Sequence, residues 1–189
     1  MSLTRGLNGK NVICKKENII LSRDTTNDSF HLLFDIKNDN IPLPPLINFS
    51  IFELLGKLNE DVLERVEITK KHSESDIELL YILKRFGAEL GIPQKYMHIR
   101  VKAEVFDNKV IFTSESCPYS ATVPSTLELI ENSESQMIVT WNNIHKLDIK
   151  YAFQARVHDN LPIFMENLMG LLTKKMFYRV KTFIENMKL

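Results

Sequence analysis

Hydrophobic positions along this chain change their period several times, and each change marks an element. The last run is the longest. Leu161, Phe164, Met165, Leu168, Leu172, Met176, Val180, Phe183 and Met187 recur at spacings of three and four, the apolar stripe of one amphipathic helix over residues 160–188. Asp159 and Asn160 can cap its start, and Pro162 fits a first turn. Lys174, Lys175, Arg179 and Lys181 gather toward the C-terminal end, where the helix dipole favours positive charge, and read as a surface basic patch. Such a helix needs an apolar surface to lie on.

Residues 96–157 supply one, because there the period is two. Met97, Ile99, Val101, Ala103 and Val105 alternate with His98, Arg100, Lys102 and Glu104, so one face is expected buried and the other wet. Phe106-Asp107-Asn108-Lys109 is a tight-turn signal, since Asp and Asn tolerate the left-handed backbone of hairpin turns. Residues 110–115, 122–130, 137–141 and 147–157 follow as strands, the last with Leu147, Ile149, Tyr151, Phe153, Ala155 and Val157 on one face. Upstream, residues 11–36 predict N-terminal strands: a hairpin around Lys15-Lys16-Glu17, then an aromatic and branched strand from Ser29. Pro42, Pro44 and Pro45 make a stiff connector. Residues 48–91 read as a helical region. Ser50 and Glu53 have capping-box spacing ahead of Ile51, Leu54, Leu55 and Leu58, with breaks expected at Gly56 and at Asn59-Glu60-Asp61. Ser75 and Glu78 repeat that spacing ahead of Leu79, Ile82, Leu83, Phe86 and Leu90, closed by Gly91 and Pro93. Residues 1–10 read as a loose N-terminus, and the 189 residues as a single domain.

Composition narrows the function classes. A 44% hydrophobic and 25% charged chain is ordinary for a globular protein, and 24 basic against 24 acidic residues leave no broad field for nucleic acid. No run approaches the ~18 apolar residues of a membrane span. The two cysteines, Cys14 and Cys117, are too few for a disulfide framework and lack metal-ligand spacing, which suggests a reducing, cytoplasmic setting. Neither the dinucleotide fingerprint nor the P-loop can be built from glycines at 6, 9, 56, 87, 91 and 170, and the five histidines stand singly, so no cofactor or metal is expected. One enzymatic arrangement can be drawn: Cys117 as a thiol nucleophile, His98 or His145 as its base, and Glu115 or Asp148 orienting the base. The plainer reading is a half-buried thiol at a strand end, and the chain reads as a binding domain more than an enzyme.

The order of elements, with residues 29–36 as first strand, 51–90 as helical insertion, 97–157 as sheet and 161–187 as final helix, resembles the helix-grip architecture of the START-like superfamily. The resemblance implies an α+β fold in which a curved antiparallel sheet packs on a long C-terminal helix, with a helical insertion after the first strands. It implies further that the space between sheet and helix holds a hydrophobic ligand, with lipid as the class. Val101, Val139, Tyr151 and Phe153 would then face Phe164, Leu168, Leu172 and Met176 across that space, without catalysis. A rival expectation is an assembly module that docks a protein partner or a second copy of itself through the last helix or a sheet edge. The basic patch is compatible with peripheral membrane contact.

Overall fold

Turn geometry starts the topology. In the computed structural model, which describes residues 11–85, 93–119, 124, 126–130, 134–154 and 167–188, β1 (Asn11–Lys16) and β2 (Ile19–Asp24) are joined by Glu17 and Asn18. Both take positive φ, 61° and 58°, as a two-residue hairpin turn that follows the strand twist requires. β3 (Ser29–Lys37) pairs with β2, a short 3-10 turn covers Pro44–Leu46, and α1 spans Ser50–Leu58. Then come β4 (Leu63–Ser73), β5 (Asp76–Leu83), β6 (Gln94–Phe106), β7 (Lys109–Ser116), β8 (Leu127–Leu129), β9 (Ser135–Asn143) and β10 (Lys146–Phe153), and the chain closes with α2 (Leu168–Asn186). The strands form one curved sheet in the order β1-β2-β3-β10-β9-β7-β6-β5-β4, antiparallel throughout except for β8, which adds in parallel to β6. This is the α+β arrangement that the resemblance implies.

The helical region is much shorter than its spacing suggests. Among the described residues only α1 is helical there; residues 63–73 and 76–83 are strands, which corrects the helix expected from Ser75 onward, and Phe86, Leu90 and Gly91 lie outside the described residues. Ile77, Leu79, Tyr81 and Leu83 form a period-two set as apolar as the helical one, and pairing with β6 in a continuous register selects it. Ser73 and Ser75 make the β4–β5 turn, where the Ser75 N–H donates to Ser73 Oγ. β4 is exposed along most of its length and carries Glu64, Arg65, Glu67, Lys70 and Lys71, the charges that guard an edge strand. Helix α1 also starts differently. Ser50 is its first residue, Asn48 just ahead of it accepts from the Ser50 N–H at 2.9 Å, and the helix runs through Gly56. The Asp107-Asn108 hairpin forms, with neither residue at positive φ. On β6 Ile99 and Val101 are buried as expected, but His98, expected on the wet face, is buried as well, and the alternation fails at the tip, where Val105 is 74% exposed.

Helix α2 lies across the sheet, and its buried face is rotated from the expected stripe. Met169, Gly170, Thr173, Phe177, Val180 and Ile184 are buried, whereas Phe183 is exposed and Leu168 half-buried. The apolar positions at 161, 164 and 165, with the caps Asp159 and Asn160, lie outside the described residues. α2 packs on β2, β3 and α1. An added Cβ on Gly170 would come within 2.6 Å of the Phe30 ring, so the absent side chain is what permits this approach. The end of the helix is tied by Asn38, whose Nδ2 donates to the carbonyls of Ile184 and Met187 at 2.7 and 2.9 Å. No helix among the described residues is long and apolar enough to cross a membrane.

Candidate ligand-binding site

Between α2 and the sheet half made of β5, β6, β7, β9 and β10 lies a cavity of about 100 Å³. Period two supplies its sheet wall, with Tyr81 and Leu83 from β5, Met97, Ile99 and Val101 from β6, Phe112 from β7, Met137 from β9, and Tyr151 and Phe153 from β10. Met169, Leu172, Thr173, Met176 and Phe177 of α2 roof it, and Phe52 and Leu55 of α1 close one side. The aromatic rings are interlocked: Tyr151 stacks on Phe153 at 4.9 Å and meets Phe177 at 5.3 Å, which also touches Phe34 at 5.7 Å.

Few polar groups enter this wall, and they converge. Ser135 lies 2.6 Å, Oγ to Oγ, from Ser114, and both stand with Tyr151 in this wall. Burial pushes both phenols upward from the ordinary tyrosine value, Tyr81 further because Tyr151 is its neighbour, so both remain neutral hydroxyls. A second, more polar depression of about 630 Å³ adjoins the cavity and shares Thr113, Ser114, Ser135, Phe153 and Gln154 with it. Asn27, His31, Arg100 and Lys102 are among its remaining walls.

Of the residues expected to face a ligand, Val101, Tyr151, Phe153, Leu172 and Met176 line the cavity together. Val139 is buried core and Leu168 half-buried, neither on the cavity wall, and Phe164 lies outside the described residues. Tyr81 and Phe177 were not anticipated. The period-two pattern of β5 could have revealed Tyr81, but Phe177 sits among basic residues in the sequence and nothing local marks it as internal.

The expected basic patch is corrected more sharply. Lys174 and Lys181 are only 7% and 5% exposed: Lys174 pairs with Glu17 of the β1–β2 turn at 2.9 Å, and Lys181 donates to the Asp35 carbonyl at 2.7 Å and to Glu185 at 2.5 Å. Lys175 and Arg179 converge on Asp61, and the hydrogen bonds from both hold its carboxyl well below the usual carboxylate range. Arg179 also reaches buried Asn59. These cations fasten α2 to the body, because partners arrive from the β1–β2 turn, β3 and the α1–β4 connection and are invisible to helix periodicity.

On the outer face of the sheet, Cys117 and His98 do meet, Sγ to Nδ1 at 3.3 Å. The carboxylate within reach of the ring is that of Glu78, 3.6 Å from Nε2, in place of Glu115 or Asp148. His145 is elsewhere, bonding the carbonyls of Asn38 and Ile41 through Nδ1. Burial, then the charges of Glu78 and Glu115, push the Cys117 thiol upward against the opposing pull of Arg100. A protonated thiol is a poor nucleophile, so this geometry does not make an activated cysteine.

No protein-family model matches the sequence, and no curated protein matches it. Solved structures do match the fold. The human StarD13 (DLC2) lipid transfer and protein localization domain superposes with a TM-score of 0.76 at 11% identity, over 95% of this chain and 90% of that one. The fold is the START-like helix-grip fold. Human STARD10 matches with a TM-score of 0.76 at 10% identity, over 93% of this chain and 72% of that one. A STAR-related lipid transfer protein from Xanthomonas axonopodis gives 0.69 at 9% identity, over 93% and 98%. In helix-grip terms α2 is the gripped helix, α1 is the helical insertion after the first strands, and the cavity lies between grip and helix.

Proposed function

We propose that this protein is a non-catalytic binding domain that holds an apolar ligand, of lipid class, between the sheet and α2. The observation that carries this reading is the aromatic- and methionine-lined cavity beneath the helix, with the hydroxyls of Tyr151, Ser135 and Ser114 in its wall. Burial of apolar ligand surface there contributes roughly 25 cal/mol per Å², and the hydroxyls set orientation. The lipid-transfer proteins that share the fold support the class. At about 100 Å³ the cavity admits a short apolar segment. A whole acyl chain requires the wall to widen, and Met97, Met137, Met169 and Met176 are the side chains that can re-pack to allow it. The adjoining depression, with Arg100, Lys102 and Asn27, offers a polar end for an amphipathic molecule.

Displacement of an environment-sensitive fluorescent fatty acid tests this, alongside solvent extraction and mass spectrometry of the purified protein. Met176→Trp fills the cavity and is expected to lower probe affinity at least tenfold, about 1.4 kcal/mol, while the protein stays folded. Unchanged binding in that variant, or no binding by the wild type, would sink the proposal.

A further inference from the structure

We propose that Glu78, His98 and Cys117 form a binding site for a borderline-soft divalent cation, zinc above all, on the outer face of the sheet. Three neighbouring strands build it. Glu78 stands on β5 and His98 on β6, one diagonal step apart, because Leu80 pairs with His98 and Glu78 with Arg100. Cys117 follows β7 and is held opposite His98 by its own N–H, which donates to the His98 carbonyl at 3.0 Å. The ligand atoms of all three lie within 4.8 Å of one another. Zinc bonds of about 2.3 Å to sulfur and about 2.0 Å to nitrogen at a tetrahedral angle separate those two donors by roughly 3.5 Å. Cys117 Sγ and His98 Nδ1 stand at 3.3 Å, close to that separation before any ion arrives.

The surroundings orient the donors. The Thr69 hydroxyl is 2.9 Å from His98 Nε2 and donates to the Glu78 carbonyl at 3.3 Å. With Nε2–H donating to that hydroxyl, the tautomer the proposed site requires, Nδ1 presents its lone pair to the thiol. This is the outer-shell arrangement that fixes a ligating imidazole. His72 Nε2 lies 2.7 Å from Glu78 Oε1 and steadies the carboxylate. Tyr119 covers the imidazole at 4.7 Å, and His98 is 2% exposed while Cys117 and Glu78 keep access to solvent. The nearest opposing charge, Arg100, is engaged by both oxygens of Asp76 at 2.8 and 2.6 Å. Binding forms a sulfur–metal bond and releases the thiol proton, and Glu78 supplies an anionic oxygen beside it. Ile77, Leu79, Ile99 and Val101, the alternate residues of these strands, are buried on the opposite side, so the site stands apart from the cavity.

Titration of the purified full chain with Co²⁺, read by the near-ultraviolet thiolate-to-cobalt band and by competition with Zn²⁺, tests the proposal. One equivalent is expected to raise the band. Cys117→Ser should abolish it, Cys14→Ser should leave it unchanged, and His72→Gln should weaken Zn²⁺ binding roughly tenfold as an outer-shell change. Because His98 is buried, Glu78→Gln serves as the ligand variant that keeps the fold, checked by circular dichroism, and it should lose affinity by more than His72→Gln. Absence of the band in the wild type, its survival in Cys117→Ser, or unchanged affinity in Glu78→Gln overturns the assignment.

Discussion

Helix α2 meets two halves of one sheet in opposite ways. Toward β2, β3 and α1 it is fastened: Gly170 brings the backbone onto the Phe30 ring, Lys174 and Lys181 are buried in ion pairs, and Asn38 and Asn59 bond its carbonyls. Toward β5, β6 and β7 it stands off behind Met169, Leu172 and Met176, and a cavity remains. The difference teaches how a helix-grip fold can keep an internal space without losing its helix. Directional polar contacts concentrate on the tight side, so the apolar side need not close. A buried charge without its partner is costly, so these pairs hold register while the cavity wall is left to adaptable side chains.

The largest test of that contrast is a pair of truncations. Phe30→Ala on the tight side is expected to cost about 3–5 kcal/mol in urea unfolding, and Met176→Ala on the cavity side clearly less, since that side chain already borders free space. Equal losses would erase the distinction. Next comes Gly170→Ala. Its new methyl group overlaps the Phe30 ring, and a loss of about 1–3 kcal/mol is expected from the same measurement; a neutral or stabilising result would mean that the helix can slide outward freely. The smallest effect is at Asp61, which is half exposed. Asp61→Asn should cost at most about 1 kcal/mol at neutral pH. Its folded pKa is depressed by Arg179 and Lys175, so its contribution is complete above the ordinary carboxylate range and fades as pH falls through the folded value. The stability gap between wild type and variant should therefore narrow on acidification below about pH 4, and a gap that widens would reverse the assignment.

Several elements were legible without tertiary information. Period two in residues 97–101 and 147–153 names the inward residues of β6 and β10, because alternation is a property of the strand itself. Five of the eight expected ligand-facing residues line the cavity for that reason. Residues 76–83 misled because their apolar positions satisfy both periods, and only the β6 partner decides between them. The charges of α2 misled for a related reason: a lysine four residues from a glutamate reads as a solvated face until Asp35 and Glu17 arrive from distant strands.

By itself, then, the amino-acid sequence determined the change of period, the strands that follow it and the long last helix, since each depends on local spacing. Tertiary structure alone decided which face of α2 is internal, how closely it approaches each half of the sheet, and that Glu78, His98 and Cys117 become neighbours. Cross-strand register, which joins residues 20 and 39 positions apart, carries no trace in local periodicity.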